Sequence, residues 1–249
     1  MLMGGIVNSM DDGGAGLWLQ TACVSNQDIT GNQVRRVPFK KSILIVNFAG
    51  ANNSTVFIDS AENNPITAYG NAKIQTAGGQ YGLFDGAGDY LSVARGAGWG
   101  LGSEFTIECF VSFASTAYQC LVGQWEGVTG SNNAWVLQYL AGNLYFTFSS
   151  SGVVLYNRFV SFTPTIGQRY YLVAEQEATP YFRFYIDGAT VFAENSPSSI
   201  YASSNQDLQI GKLNGYSADF DGKMFGIRIS PIARYAKDGF ITVPSLPFN

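Results

Sequence analysis

The chain has 249 residues, a formal net charge of −4, and charged side chains at only 13 % of its positions. Long solvent-facing helices require many charged residues, so this composition disfavours a helical protein. Aromatic residues at 14 % and 29 glycines favour short strands joined by tight turns. A nucleic-acid partner requires a basic footprint, which 14 scattered Lys and Arg residues do not form. The sequence contains no histidine, which excludes Ser-His-Asp and Cys-His nucleophile systems and His-based zinc sites.

The first 41 residues differ from the rest of the chain. They have no sustained strand or helix periodicity, although Leu17 and Trp18 form a short apolar patch and Arg35 and Arg36 close a polar stretch. We therefore predict that residues 1–41 are an arm that docks on another protein through these four side chains. A disordered tail is the alternative, which is disfavoured because exposing Trp18 to water is costly.

Neither targeting signals nor cysteine chemistry is predicted. Residues 1–12 contain no basic residue and no apolar run as long as that of a signal peptide. No later stretch approaches the roughly 18 apolar residues of a membrane span. The three cysteines, Cys23, Cys109 and Cys120, are too few for a disulfide framework or a metal knuckle. Cys109 and Cys120 lie in strand-like runs, so we expect both to be small buried hydrophobes.

From Ser42 onward, short apolar runs alternate with turn signals. Asp187-Gly188 separates two aromatic runs and is typical of a two-residue hairpin, because glycine accepts a positive φ. Only residues 232–237 could hold a helical turn. About a dozen strands with short connections indicate a sandwich or barrel. The predicted strands are 43–48, 80–84, 89–93, 104–113, 119–125, 134–140, 144–148, 153–159, 169–176, 181–186, 189–193, 208–210 and 222–230.

The run GLFDGAGDYLSV at 82–93 is the most specific motif, and EFTIE follows it at 104–108. The accompanying motifs are the apolar runs at 43–48 and 55–60, YIDG at 185–188, LQIG at 208–211, FDG at 220–222, ISPIARY at 229–235 and Pro247-Phe248. Together they resemble the laminin-G-like jelly-roll domains of the concanavalin A-like lectin/glucanase fold, which are common in bacteriophage virion proteins. The resemblance covers residues 42–249 and implies an all-β fold, a two-sheet antiparallel jelly-roll sandwich.

The resemblance also implies a function. We expect a bacteriophage virion structural protein, such as a head-decoration, head-fibre or tail-associated component, located in the virion among other virion proteins. Symmetric assembly is the default for such components, so a homo-oligomer is expected, with a trimer as the specific expectation. The alternative is a carbohydrate-binding adhesion module that recognises a cell-surface glycan. Neither a nucleic acid nor a membrane is expected as a partner.

Hydrolysis must be considered because the fold includes glucanases. Those enzymes place carboxylates at alternate positions of one strand, with two of them about 5–5.5 Å apart. Glu104 and Glu108 have suitable spacing, but Thr106 lies between them, and the resemblance explains both glutamates as polar residues of an outer strand face. We therefore expect no enzymatic activity. The opposite face of the same strand is formed by Phe105, Ile107, Cys109, Val111 and Phe113.

Calcium is the only cofactor considered. Asp85 and Asp89 flank a glycine-rich turn, and Asp59 precedes a polar loop, so these oxygens could attract a hard cation. Turn formation is the favoured explanation, because Asp side chains bind their own backbone in turns. In addition, residues 224–226 read Met-Phe-Gly where many relatives carry an acidic residue that helps hold calcium. No cofactor is therefore expected.

A glycan site combines aromatic faces with a few hydrogen-bonding groups. Tyr181, Arg183 and Tyr185 alternate onto one strand face, and Trp125 lies in a neighbouring hairpin. These four residues are the predicted glycan-binding candidates. The alternative for each aromatic side chain is a place in the core with its polar tip at the solvent.

Overall fold

The computed structural model describes residues 42–94, 99–128, 132–178, 181–195, 200–201 and 206–249. These residues belong to one compact unit, Lys40–Asn249. The predicted docking arm 1–41, with its contacts Leu17, Trp18, Arg35 and Arg36, lies outside the described residues, as does Cys23.

The described residues form strands and no helix. In chain order the strands are β1 (Leu44–Val46), β2 (Ile66–Tyr69), β3 (Lys73–Gln75), β4 (Tyr81–Asp85), β5 (Tyr90–Val93), β6 (Phe105–Phe113), β7 (Gln119–Gln124), β8 (Trp135–Leu140), β9 (Asn143–Ser149), β10 (Leu155–Ser161), β11 (Arg169–Gln176), β12 (Tyr181–Ile186), β13 (Ala189–Asn195), β14 (Leu208–Ile210) and β15 (Asp221–Ser230). In this part of the chain, no helix has the length and hydropathy needed to cross a bilayer.

The strands pair antiparallel in two sheets. Sheet I has the order β13-β12-β11-β6-β15-β4-β3, and β1 also pairs with β15. Sheet II has the order β10-β9-β8-β7-β14-β5-β2. Most sheet neighbours are far apart in sequence, as in a jelly roll, where each sheet receives strands from both ends of the chain. The predicted all-β, two-sheet antiparallel jelly-roll sandwich is confirmed.

The main core lies between the two sheets. The predicted alternation of β6 is confirmed, because its odd-numbered residues from Phe105 to Phe113 all belong to this core. Phe146 of sheet II stacks on Trp135 of the same sheet and on Phe182 of sheet I, and the Phe146 and Phe182 ring centroids are 5.4 Å apart. Burial of this aromatic surface is the main source of stability.

Cys109 and Cys120 are buried free thiols, as predicted. Burial raises the pKa of both thiols, which keeps them protonated and disfavours thiolate chemistry.

The predicted hairpin turn is confirmed by its backbone. Asp187 and Gly188 have φ values of 49° and 87°, the left-handed conformations required between β12 and β13. One part of the strand prediction differs from the structure. Strands β2 and β3 were not predicted, because each has only three or four residues and neither has a long apolar run. The motif at 55–60, which was not among the predicted strands, makes a single bridge, from Asp59 to Val46.

Candidate functional site

The outer face of sheet I is covered by the last residues of the chain, 231–249, which we call the C-terminal segment. Ile241 and Phe248 of this segment are buried with Phe110 of β6. The side chain of Asn47 fixes the Phe248 backbone: its Nδ2 donates to the carbonyl oxygen (3.1 Å), and its Oδ1 accepts from the amide (2.8 Å). This part of sheet I is therefore an interior surface.

Glu108 lies at the centre of the covered face and is fully buried. Its carboxylate accepts two hydrogen bonds from the Arg228 guanidinium, at 2.5 Å from Nε and 2.7 Å from Nη2. The hydroxyls of Tyr171 (2.6 Å) and Tyr235 (2.7 Å) donate to the same carboxylate. Burial raises the pKa of both tyrosines, so their hydroxyls remain donors. The predicted polar outer face at Glu108 and Thr106 is therefore wrong in one respect: both side chains are sealed from solvent.

The same face captures the backbone of residues 233–236. Their amides donate in turn to Glu104 (3.2 Å), Thr106 (3.0 Å) and Glu175 (2.9 and 2.8 Å). Burial raises the pKa of the Glu175 carboxyl, and the amides that it accepts lower it in part. The helical turn considered at 232–237 does not form, because side chains of the sheet bind these amides.

Three of the predicted glycan-binding residues hold the C-terminal segment or pack beside it. Tyr185 is fully buried, and its hydroxyl donates to the Lys237 carbonyl (2.7 Å). Arg183 is 6 % exposed and forms ion pairs with Asp238 and Glu177. Its guanidinium lies 4.4 Å from the ring centroid of Tyr181, which it covers. The protein itself therefore encloses two of these three predicted residues, Arg183 and Tyr185, on this strand face, and only Tyr181 is partly exposed.

Trp125 lies elsewhere, so the four predicted residues do not form one site. It is 5 % exposed and belongs to a small apolar cluster with Cys120, Val136 and Leu213 on sheet II. Val136 projects away from the main core, so this cluster packs on the outer side of that sheet.

The predicted cation ligands serve as turn acceptors. Asp59 is buried, and its carboxylate accepts amide hydrogens from Ile45 and Ala61, both at 2.9 Å, and from Asn64 at 3.1 Å. The Asn64 side chain donates to it as well, at 2.7 Å. Asp59 thus ties its loop to β1, as turn formation predicts.

Asp85 and Asp89 close the turn between β4 and β5. Asp89 accepts from the amides of Asn71 (2.6 Å) and Asp85 (3.1 Å), while Asp85 accepts from the amide of Ala87 (2.9 Å). Burial raises the pKa of the Asp89 carboxyl, and the nearby Asp85 charge raises it further. Within the described ranges, no three Asp, Glu, Cys or His side chains form a group that could hold a metal ion.

The candidate site lies on the outer face of sheet II, at its β10 edge. Residues of β10 alternate: Tyr156 and Val160 pack toward the core, while Leu155 and Phe159 point outward, 46 % and 51 % exposed. Phe159 stacks on Tyr145 of β9, with ring centroids 5.1 Å apart and 29° between the ring planes. The pair offers an aromatic face to a ligand.

A chain of side-chain hydrogen bonds runs beside this stack. We call its four members, Tyr118, Gln138, Thr147 and Asn157, the amide row. The Tyr118 hydroxyl donates to Gln138 Oε1 (2.8 Å), Gln138 Nε2 donates to Thr147 Oγ1 (3.1 Å), and Thr147 donates to Asn157 Oδ1 (2.7 Å). Asn157 is exposed, and its Nδ2 donates to no other described residue. The row therefore fixes Asn157 with two free N–H groups beside an aromatic ring.

The row ends at Tyr118, which lines an open cleft of about 480 Å³ together with residues from the ends of both sheets, among them Asp85 and Asp221. Tyr118 and Tyr216 meet edge to face in its wall, with centroids 6.1 Å apart, and Tyr216 is 38 % exposed. A second exposed stack lies at the other edge of the sheet, where the Tyr69 and Tyr90 centroids are 4.4 Å apart. Aromatic faces are thus distributed along the whole outer surface of sheet II.

This arrangement suits a ligand that has both apolar faces and hydroxyl groups. The amide row carries no charged side chain, so it favours neutral donors and acceptors such as sugar hydroxyls. None of these residues is among the four predicted glycan-binding candidates, although the sequence carries a signal for the site. When pleated, the run Leu155–Ser161 places apolar residues on both faces, which is unusual for an edge strand.

Residues 85–238, more than half of the chain, match the family described as the concanavalin A-like lectin/glucanases superfamily. The chain belongs to this superfamily. No curated protein sequence matches it. This concanavalin A-like domain is also similar to solved structures, although the identities of 10–12 % demonstrate a shared fold only.

Three of the similar structures are described as receptor-binding or binding domains. The receptor-binding domain of botulinum neurotoxin type G has a TM-score of 0.59 and 12 % identity, covering 78 % of this chain and 48 % of its own. The binding domain of Paraclostridial mosquitocidal protein 1 has a TM-score of 0.61 and 11 % identity, and the match covers 78 % of this chain and 49 % of that structure's chain. The binding domain of botulinum neurotoxin DC in complex with rat synaptotagmin II has a TM-score of 0.58 and 10 % identity. This match covers 78 % of this chain and 48 % of that structure's chain. The chain spans about half the length of these solved structures.

Proposed function

We propose that this concanavalin A-like domain is a non-catalytic binding module that recognises a neutral glycan on the outer face of sheet II. The stack of Phe159 on Tyr145 beside the amide row carries the proposal. It places an exposed aromatic face next to two oriented N–H donors of Asn157. The similarity to toxin binding domains agrees with a recognition role.

A role without catalysis is supported by the state of the strand carboxylates. Glu108 is fully buried and neutralised by Arg228, and Glu104 accepts a backbone amide of the C-terminal segment. A glycosidase needs both of its carboxyl groups beside the scissile bond. A sugar cannot reach Glu108 unless the C-terminal segment leaves the sheet.

Phe159→Ala is the variant that tests this proposal. The strongest hit of a bacterial polysaccharide array is titrated against the wild-type protein and the variant. We expect the variant to bind at least about ten-fold more weakly, because the stacking face is lost; ten-fold corresponds to about 1.4 kcal/mol. Phe240→Ala is the matched control, since Phe240 is also exposed (77 %) but lies on the C-terminal segment.

The proposal fails if the array gives no signal with any glycan. It also fails if a hit binds the Phe159 variant as tightly as it binds the wild-type protein. Equal weakening by the Phe240 control would point to a general loss of surface apolarity. The thermal midpoint should fall by no more than about 4 °C in either variant, because Phe240 is largely exposed and Phe159 is about half exposed.

We further propose that the module is carried on a bacteriophage virion, assembled as a trimer with other virion proteins through residues 1–41. The closing motif ISPIARY at 229–235, with Pro247-Phe248, supports this proposal by its resemblance to phage virion domains. Mass spectrometry of purified particles should find the protein in stoichiometric amounts, and deletion of residues 1–41 should abolish its incorporation. Undiminished incorporation of the deleted form would contradict the docking role.

A further inference from the structure

Beyond the C-terminal segment, one rung of sheet I remains open. The strand register places Arg169 opposite Ser112, Ser112 opposite Lys223, Lys223 opposite Leu83, and Leu83 opposite Lys73. A single rung across five strands therefore presents three cations on the outer face. We call Lys73, Lys223 and Arg169 the basic row.

The cations of the basic row are regularly spaced. Two strand spacings separate Lys73 from Lys223, and two more separate Lys223 from Arg169. Because neighbouring strands lie about 4.8 Å apart, the backbone positions of adjacent members are about 10 Å apart along the rung. The spacing suits an extended polymer with acidic groups at intervals.

Two of the three cations, Lys223 and Arg169, are held in place by aromatic rings without neutralisation. The Lys223 Nζ lies 4.6 Å from the centroid of the Tyr81 ring, and the Arg169 guanidinium lies 5.5 Å from that of Phe225. In the described part of the chain, none of the three forms an ion pair with a carboxylate. Cation–π contacts orient a side chain but leave its positive charge for a ligand.

The carboxylates nearest in the register lie on the next rung. Asp85 and Asp221 face each other there, displaced from the row toward one end of the strands. They limit the basic surface on that side and make it a stripe rather than a broad patch. A stripe selects for a linear ligand lying across the strands.

Two depressions flank the row. One, of about 310 Å³, is lined by Gln80, Arg169 and Phe225 among others. The other, of about 150 Å³, is lined by Leu83, Lys223 and the exposed Ile166. Each depression combines apolar surface with a cation, which suits a sugar ring carrying an acidic group.

We propose that the basic row binds an acidic polysaccharide, one with carboxylate or sulfate groups along a linear chain. This site is separate from the one on sheet II and does not depend on it. A nucleic acid is disfavoured as the occupant, because its backbone carries a charge roughly every 3.4 Å along each strand of a duplex, and three cations at backbone positions about 10 Å apart form too small a footprint for it.

Arg169→Gln combined with Lys223→Gln tests the proposal. The matched control is Lys212→Gln combined with Lys237→Gln, which removes the same charge outside the row. The probes are polygalacturonate, heparin, neutral dextran and single-stranded DNA, each titrated by biolayer interferometry at low and high NaCl. Because exposed charge contacts are individually modest, we expect the row variant to bind polygalacturonate or heparin about ten-fold more weakly, and the control less than about two-fold. Dextran should not respond to either pair of substitutions.

If both double variants lost the same affinity for polygalacturonate or heparin, the proposal would be overturned. Such a result would indicate non-specific attraction to the positive charges of the protein rather than binding at the basic row. Failure of wild-type protein to bind either acidic polysaccharide at low salt would overturn it too, as would tighter binding of DNA. Phe159→Ala should leave polygalacturonate and heparin binding unchanged. This result keeps the site on sheet I distinguishable from the one on sheet II.

Discussion

Replacing Arg228 with Met is expected to lower the free energy of unfolding by about 3–5 kcal/mol, the usual cost of stripping one partner from a buried ion pair. Glu108 is fully buried and would retain only the hydroxyls of Tyr171 and Tyr235 as close donors. Arg234 cannot replace the lost guanidinium, since its Nε is 3.6 Å from the carboxylate. Burial and the Arg228 charge also lower the pKa of Arg234.

Urea unfolding followed by tryptophan fluorescence measures this effect. Arg169→Met is the control. Because Arg169 is exposed, this substitution should lower the free energy of unfolding by less than about 1 kcal/mol. Combining Arg228→Met with Glu108→Met should recover part of the loss, because no charge then remains buried. If Arg228→Met were no more destabilising than the control, the buried ion pair would have no role in holding this face together.

Phe248→Ala is expected to destabilise the domain by about 3 kcal/mol, at the lower end for a buried phenylalanine. Phe248 is 3 % exposed and packs against Phe110 with ring centroids 5.6 Å apart. The Arg228 guanidinium lies 4.5 Å from its ring centroid, so the loss also loosens the ion pair beneath it.

Thermal unfolding measures this second effect. For a domain of this size, each 1 kcal/mol lost from the free energy of unfolding lowers the thermal midpoint by about 2–4 °C. A drop in the midpoint of about 6–12 °C is therefore expected. Phe240→Ala removes an equally large ring that is 77 % exposed, and should shift the midpoint by less than about 2 °C. Similar shifts for both variants would mean that the C-terminal segment does not pack on sheet I as described.

Local patterns predicted much of the sandwich. The alternation of 104–113 identified the core face of β6, and Asp187-Gly188 identified the hairpin between β12 and β13. These features depend on neighbours in sequence, where periodicity and turn chemistry act. Strands β2 and β3 carry too few residues for periodicity to be visible.

The covered face of sheet I could not be predicted in the same way. Glu108 and Arg228 are 120 positions apart, and they meet because β6 and β15 pair in the sheet. A strand face with Tyr181, Arg183 and Tyr185 reads as an exposed platform until the C-terminal segment is placed on it. Alternation identifies which residues leave the core but does not reveal what covers them.

The proposed glycan-binding surface is the outer face of sheet II, at β8, β9 and β10. Backbone amide shifts of the isotopically labelled domain, titrated with the array hit, test it most directly. We predict perturbations concentrated at Gln138, Thr147, Asn157 and Phe159. Perturbations confined to the face of β12 that carries Tyr181 and Arg183, with sheet II silent, would contradict the account.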